Sequence, residues 1–266
     1  DGLELFKHSY QPQNDYQTVL IIVHGIAEHC ERYSKLAKFL VENNIAVETY
    51  DQSGHGRSDG ERCYIDYFEE YLKDLDMLIR KLEREHPHRD IFLMGHSMGG
   101  AIVSYYYLKY RPTLTGLILS SPAVDISPQI HPLLALLSGL MGNLFPRLKT
   151  IKLNSDKLTH DRKIVEEYNK DEYVYHNGIP ARTGAELNRV VKLIQKDMPK
   201  IDLPLLILQG DKDNFVNPDA SIELYKSSRS GDKSLKIYNG FYHEIFNEIK
   251  KEQVIDDLIV WIKERS

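Results

Sequence analysis

One short pattern, Gly95-x-Ser97-x-Gly99, constrains the fold of this chain more than any other feature. It follows a run of strand-forming residues and precedes a helix-like stretch. In that setting Gly-x-Ser-x-Gly forms a nucleophile elbow, a tight turn that lifts the serine hydroxyl above a sheet. The two glycines leave space for neighbouring chain, and we expect a strained backbone at the serine. The pattern predicts a nucleophilic serine between a strand and a helix.

Apolar runs alternate with amphipathic helical stretches along most of the chain, which indicates βαβ units and a mostly parallel sheet. Near-continuous apolar strands such as 19–23 suit a sheet that is covered on both faces. Together with the elbow, this alternation predicts the α/β-hydrolase fold. We expect an antiparallel edge strand at 3–10 and further strands at 18–23, 45–50, 91–94, 116–120, 205–208 and 235–238.

Apolar spacing also predicts helices, and a break in the alternation predicts an insert. One helix begins near Glu252, and an earlier one carries a single buried face made of Tyr67, Tyr71, Leu75, Leu78 and Leu82. Residues 125–200 interrupt the alternation and are too long for a loop. We therefore expect an α/β-hydrolase core at 1–124 and 201–266, and an inserted helical cap at 125–200.

Composition and charge narrow the classes of partner. A chain of 266 residues fits one large domain with a small insert. Its net charge of −5 argues against a nucleic-acid partner, which would need a basic surface. Two cysteines form no disulfide framework and favour a reducing, cytoplasmic compartment. The chain begins at Asp1 without a methionine, so the question whether a targeting segment has been removed stays open.

A nucleophilic serine needs a base, and the base needs an orienting acid. In this fold the chain order is Ser, then Asp or Glu, then His. His243 follows the last predicted strand after a glycine turn, and we expect it to be the general base. Asp213 follows the preceding strand and is the predicted acid, while Asp211 beside it is expected to brace the turn. If Asp211 were the acid, its substitution rather than that of Asp213 would abolish turnover.

The oxyanion formed in ester cleavage needs two backbone N–H donors. The first is expected from Met98, which follows the nucleophile. The second is expected from Ile26, in the loop after strand 18–23. This chemistry requires no cofactor.

The glycine-rich stretch 51–58 lacks the Gly-Lys-Ser/Thr of a phosphate loop and predicts a structural turn. No metal is expected, because the candidate histidines show no recognised ligand spacing: His24, His29, His55 and His96.

Several blocks together resemble monoacylglycerol lipases and related bacterial lysophospholipase-like serine hydrolases with a short cap. The blocks are 24–29, 32–33, 54–58, 95–100, 179–184, 210–213 and 242–244. The resemblance implies a triad of Ser97, Asp213 and His243, with Ile26 and Met98 as the oxyanion hole. It also implies binding of the glycerol end of the substrate by Glu28, Arg32, His96 and Tyr168. The family usually has a small residue followed by glycine where this chain has Ile26-Ala27, so a narrower alcohol pocket is expected.

These observations predict a serine esterase that cleaves monoacylglycerols to fatty acid and glycerol through an acyl-enzyme. A lysophospholipase or a general short-chain carboxylesterase with the same triad is the nearest alternative. An aminopeptidase would need an acidic cluster for the free amine, and a dehalogenase or epoxide hydrolase would need aspartate in place of Ser97. A non-catalytic binding protein is disfavoured because all three triad residues are present.

The predicted cap contains a strongly apolar segment at 132–146. A helix of this length is too short to span a bilayer, which needs about 20 residues. It either packs on the core or docks on a lipid surface at the mouth of the site. The second hypothesis predicts a peripheral membrane contact for a cytoplasmic enzyme. The sequence gives no indication of the oligomeric state.

Overall fold

The computed structural model describes residues 2–85, 87–125 and 139–266. Seven strands form one sheet in the order β1-β3-β2-β4-β5-β6-β7, and only the edge pair β1–β3 is antiparallel. The predicted α/β-hydrolase fold class is confirmed. The strands are β1 (Lys7–Tyr10), β2 (Thr18–Val23), β3 (Ile45–Tyr50), β4 (Asp90–His96), β5 (Gly116–Ser120), β6 (Leu205–Gly210) and β7 (Lys233–Tyr238).

Helices cover both faces of the sheet, as the continuous apolar strands require. Alternate residues of each strand enter different cores: Ile21 and Leu93 pack on one face, and Leu20 and Phe92 on the other. Short 3-10 helices lie in several connections, and the labelled α-helices are α1 (Ser34–Glu42), α2 (Glu69–Glu85), α3 (Met98–Tyr110), α4 (Arg162–Lys170), α5 (Ala181–Asp197), α6 (Pro218–Ser227) and α7 (Glu252–Lys263).

The helix predicted from the tyrosine and leucine spacing is α2, and the prediction for Tyr67 was wrong. The side chain of Tyr67 is 61% exposed, because the helix begins two residues later, at Glu69. Phe68 is the buried residue at this entry, and its backbone N–H donates to Glu186 at 3.0 Å. The other predicted positions are buried: Tyr71, Leu75, Leu78 and Leu82.

The region predicted as a cap packs at two places: against helix α3 and beside the carboxyl ends of the strands. Helix α5 packs against α3, and its Val190 and Ile194 belong to the same buried cluster as the sheet. Helix α4 and the segment after it lie beside the carboxyl ends of the strands, where the backbone N–H of Tyr175 donates to the carbonyl of Ala27 at 2.8 Å. The division of the chain at residues 125 and 200 stays a prediction.

Part of the predicted apolar cap segment, 132–138, lies outside the described residues. Residues 139–144 are helical, and several apolar side chains that follow the start of this helix face solvent. In the described parts of the chain, no helix combines the length and apolar character that crossing a bilayer requires.

Candidate active site

Ser97 occupies the turn between β4 and α3 in a backbone conformation with φ 54° and ψ −119°. A Cβ at Gly95 would lie 2.2 Å from the carbonyl oxygen of Gly99, and one at Gly99 would lie 2.1 Å from that of Val23. Neither position tolerates a side chain at such distances. The chain crossing is therefore possible only with both glycines, and it sets Ser97 at the carboxyl edge of the sheet.

The structure brings Asp213 and His243 together although 30 residues separate them. His243 Nδ1 lies 2.7 Å from Asp213 Oδ2. The other carboxylate oxygen of Asp213 accepts the backbone N–H groups of Phe215 and Val216, at 2.8 and 3.1 Å. The neighbouring Asp211 instead accepts the N–H of Gly240 at 2.6 Å. Of the two carboxylates in this loop, Asp213 is the one that orients the imidazole.

Charge and burial act in opposite directions on this pair. Burial favours the neutral carboxyl of Asp213, but the charge of His243 and its hydrogen bond lower the pKa of Asp213 below its usual range. Burial also disfavours protonated His243, yet Asp213, with smaller contributions from Glu244 and Glu28, raises the pKa of His243 above its ordinary value. The arrangement stabilises the imidazolium that forms when His243 takes a proton.

Two contacts locate His243 beside the nucleophile turn. Its ring centroid lies 4.7 Å from that of His96, the residue before Ser97. Its backbone carbonyl accepts a hydrogen bond from Ser121 Oγ at 2.9 Å, just after β5. The side chains of His243 and Ser97 are both buried. The three predicted triad residues thus lie at the same edge of the sheet, on loops that follow β4, β6 and β7.

The two N–H groups predicted for the oxyanion hole come from neighbouring segments. Met98 is the first residue of α3, so its N–H has no acceptor inside the helix. Ile26 lies in the loop after β2 and is partly buried. The next residue, Ala27, has φ 66°, and its carbonyl accepts the N–H of Tyr175. This bond connects the loop of Ile26 to the segment after α4.

Beside the nucleophile, the structure assembles a buried charged group that we call the ionic triplet: Glu28, Arg32 and Glu244. Arg32 Nη1 donates to Glu28 at 2.8 Å, and both Nη atoms donate to the two oxygens of Glu244 at 2.6 and 2.7 Å. Glu28 also accepts from the backbone N–H of Gly25 and from the hydroxyl of Tyr33, at 2.6 and 2.8 Å. Sequence reasoning missed Glu244 as a site residue.

Glu244 follows His243, the predicted general base, directly, and that position is the one signal by which the sequence could have identified it. Its partner Arg32 lies 212 residues earlier in the chain, and no spacing rule links the two. The backbone N–H of Glu244 donates to the carbonyl of Leu158 at 2.8 Å, so this residue also contacts the segment before α4. Tertiary structure alone makes Glu244 part of the site.

The remaining residues expected at the glycerol end lie around the triplet. The guanidinium of Arg32 lies 4.7 Å from the ring centroid of Tyr168, a buried residue of α4. Burial and the neighbouring His243 lower the pKa of His96 to about 4, so this imidazole is neutral. Burial opposes ionisation of Glu28, but Arg32 and the other nearby donors lower its pKa to about 2.

A surface cleft of about 540 Å³ approaches the same residues from outside. It lies between β1, α1 and α4, and its lining includes Arg32 and Tyr168 together with the exposed pair Lys35 and Glu167. Ser97 and His243 do not line it. The cleft therefore reaches the far side of the ionic triplet and not the reacting atoms.

His24 and the glycine-rich stretch 51–58 make hydrogen bonds that stabilise the fold. His24 accepts the N–H of Gln52 at 3.1 Å, and Asp51 accepts the N–H groups of Cys30 and Arg57 at 2.7 and 2.8 Å. These bonds hold the turn at 51–58 against the segment that follows β2. Within residues 2–85, 87–125 and 139–266, no group of three or more histidine, cysteine or acidic side chains is placed to hold a metal ion.

Comparison with known proteins gives matches over almost the whole chain. A sequence model of the family described as "Serine aminopeptidase, S33" matches residues 14–250. The monoglyceride lipase of Rattus norvegicus is 33% identical over 269 residues, which cover 100% of this chain and 88% of the relative. Phospholipase YtpA of Bacillus subtilis (strain 168) is 31% identical over 243 residues, covering 89% and 91%. The solved structure of Paleococcus ferrophilus monoacylglycerol lipase matches with a TM-score of 0.90 at 29% identity, covering 99% of this chain and 100% of that one.

Proposed function

The chain belongs to the serine aminopeptidase S33 family of hydrolases, and we propose that it is a serine esterase that cleaves monoacylglycerols to fatty acid and glycerol. The similarity to a monoglyceride lipase and to a monoacylglycerol lipase structure supports this substrate class. It also agrees with the resemblance that the sequence motifs indicated. One geometric observation carries the reaction type: the 2.7 Å contact of His243 with Asp213 at the edge of the sheet where Ser97 occupies the elbow.

The reaction begins when Ser97 Oγ attacks the ester carbonyl carbon while His243 Nε2 takes the hydroxyl proton. Collapse of the tetrahedral intermediate breaks the bond to the glycerol oxygen, which receives that proton from His243. A water then attacks the acyl-enzyme, and its proton passes to His243. The second collapse releases the fatty acid and returns the proton to Ser97. Throughout, Asp213 holds the imidazole in the tautomer that keeps Nε2 facing the serine.

The N–H groups of Ile26 and Met98 stabilise the negative oxygen of both intermediates, each by about 3 kcal/mol in comparable acyl-transfer enzymes. Support for this role comes from the position of Met98 at the start of α3 and from the bond between Ala27 and Tyr175 that fixes the loop of Ile26. We expect Ile26 to narrow the alcohol pocket, because the family usually has a small residue at this position.

The test is hydrolysis of 1-monoacylglycerols of increasing chain length, beside lysophosphatidylcholine and p-nitrophenyl esters, with Ser97→Ala as the blank. Preference for the monoacylglycerols supports the proposal, and near-normal turnover by Ser97→Ala refutes the assigned nucleophile. A fluorophosphonate probe adds an independent readout, because it labels an activated serine whatever the substrate.

A lysophospholipase with the same triad is the second candidate, and the similarity to a phospholipase favours it. The two activities differ in the alcohol that leaves, which is glycerol in one case and a phosphorylated glycerol in the other. Faster hydrolysis of the lysolipid than of every monoacylglycerol in the same series would assign the enzyme to this second activity.

We also propose that the substrate reaches the site from a lipid surface, with the enzyme otherwise cytoplasmic. Four apolar side chains after the start of the helix at 139–144 are about half exposed: Leu140, Leu144, Phe145 and Leu148. Basic residues interleave with or follow them: Lys149, Lys152 and Arg147, of which Arg147 pairs with Glu61 at 2.8 Å. An exposed apolar patch beside cations suits contact with anionic or zwitterionic lipid.

A further inference from the structure

We propose that the enzyme discriminates against esters whose alcohol carries a negative charge and accepts neutral or cationic alcohols. This inference rests on the function proposed above and refines its substrate class. The observation behind it is the ionic triplet, in which two buried carboxylates, Glu28 and Glu244, share the single guanidinium of Arg32. The polar wall beside the nucleophile therefore carries an uncompensated negative charge.

The triplet adjoins the reacting atoms from two directions. Glu244 follows His243, whose imidazole delivers a proton to the departing alcohol oxygen. From the other direction, the position of a Cβ on Gly25 would lie 2.8 Å from Glu28 Oε1 and 3.2 Å from Ser97 Cβ. An alcohol that departs toward His243 from the acyl carbon held by Ser97 thus passes within a short distance of both carboxylates. A polar alcohol suits this wall, whereas an acyl chain does not.

Arg32 is not available to receive an anionic group. Three of its five N–H donors already bind Glu28 and Glu244, and the ring of Tyr168 lies against the guanidinium. Its side chain is only 9% exposed. A phosphate or carboxylate on the substrate would have to share this one buried cation with two carboxylates or displace one of them, and displacement would leave a buried charge without a partner.

The other charged groups near the triplet do not reverse its sign. Asp213 adds a further carboxylate, which is matched by His243 only while the imidazole is protonated. His96 is neutral. The nearest lysine in the outer cleft, Lys35, is about half exposed and pairs with Glu167 at 3.2 Å. Solvent screens an exposed charge of this kind far more than it screens the buried triplet.

The test uses octanoyl esters of three alcohols with nearly the same size and shape but different charge. These are choline (positive), 3,3-dimethylbutanol (neutral) and isethionate (negative). Each kcat/KM is divided by the rate of the same ester with hydroxide, which removes differences in intrinsic reactivity. Measurement in about 0.5 M NaCl suppresses attraction by the overall charge of the protein. We expect the anionic ester to be at least about tenfold slower than the neutral one, and the cationic ester to be no slower.

Substitution of one carboxylate tests the cause. Glu244→Gln makes the triplet neutral, and it should raise the anionic-to-neutral ratio about tenfold. The matched control is Glu166→Gln, which removes the same charge from an exposed position on α4 and should leave the ratio unchanged. If Glu244→Gln does not fold, the ratio of the wild-type enzyme still decides the question.

The outcomes separate this inference from the proposed function. Equal rates for the anionic and neutral esters overturn the charge discrimination, even when a 1-monoacylglycerol is hydrolysed well. An equal shift of the ratio in Glu166→Gln and Glu244→Gln also overturns it, because the effect would then be long-range. Failure to hydrolyse all three esters and the monoacylglycerol overturns the proposed function together with the inference.

Discussion

Two groups of charged side chains lie side by side in this enzyme, and they are built in opposite ways. The Asp213–His243 pair contains an acid and a base. The pKa of His243 is raised above its ordinary value, so His243 can take up and release a proton during a reaction. In the ionic triplet, Arg32 and Glu28 are held in their charged forms by mutual contacts and by hydrogen bonds from Gly25 and Tyr33. Proton transfer requires a group that can change its charge, whereas selection by charge, as proposed for the ionic triplet, requires charges that stay fixed.

The largest expected effect concerns the acid of the first group. Asp213→Asn should lower kcat on the order of 10⁴-fold, because the imidazole loses the partner that sets its tautomer and stabilises its charged form. The matched change Asp211→Asn, in the same loop, should cost far less, since among the described residues the Asp211 carboxylate accepts a hydrogen bond only from the backbone N–H of Gly240. Steady-state kinetics of the two variants checks this. The reverse order of the two losses would assign the acid to Asp211.

The next effect concerns stability and the second group. Arg32→Met should lower the free energy of unfolding by about 3–5 kcal/mol, because it leaves Glu28 and Glu244 buried without their cation. Removal of an exposed guanidinium, in Arg162→Met, should cost no more than about 1 kcal/mol, although Arg162 also pairs with a carboxylate at 2.7 Å. Denaturant titration measures both values. Similar losses for the two variants would contradict the difference between buried and exposed pairs.

A smaller effect tests how the two groups influence one another. Protonated His243 cannot take the serine proton, so kcat/KM should fall as the pH drops through the pKa of His243, which lies above its ordinary value of 6.5. Asp213, Glu244 and Glu28 favour the protonated form, whereas burial opposes it; His96, whose ring lies 4.7 Å away, is neutral.

Glu244→Gln removes one of these negative charges, so the pKa of His243 should fall and the acid limb of the pH profile should move to lower pH. The profile of Glu166→Gln provides the baseline, because that carboxylate is exposed and is not among the charges that raise the pKa of His243. An acid limb that stays in place in Glu244→Gln would show that the triplet does not act on His243.

The smallest expected effect lies outside both groups, on the exposed apolar patch. Leu144→Asp should weaken binding to lipid vesicles several-fold while leaving hydrolysis of a dissolved short-chain ester unchanged. Val260→Asp is the control, because Val260 is a similarly exposed apolar residue on α7. Vesicle co-sedimentation measures the binding. Equal binding by both variants and the parent enzyme would count against a lipid-docking role for the patch.

Much of the fold and of the candidate site could be predicted from the sequence, because those features depend on residues that are close together in the chain. Apolar runs indicated the five inner strands, since strands buried on both faces have a near-continuous apolar pattern. The edge strands β1 and β7 were also predicted, although both are rich in polar residues and only partly buried. Loops that follow parallel strands meet at one edge of the sheet, so Asp213 and His243 could be located beside Ser97 without coordinates. Their catalytic roles stay predictions until the variants are measured.

Other features could not be read from the chain. The expectation that Tyr67 is buried was wrong, because periodicity does not show where a helix begins, and Phe68 fills the buried position instead. The residues expected at the glycerol end were named one by one, yet their pairing was not visible. Glu244 was missed because its partner is far away in the sequence and nothing in the local pattern marks it.

The sequence by itself determined the succession of strands and helices along the chain, the strained serine turn and the type of chemistry. Each of these follows from local backbone preference or from residue type. Tertiary structure decided which charges meet. It brings Arg32 and Glu244 within 2.6 Å of each other, and it leaves two buried carboxylates with one cation beside the Ser97 turn. Electrostatic energy depends on distance and burial, and for residues so far apart in the chain only the fold sets both.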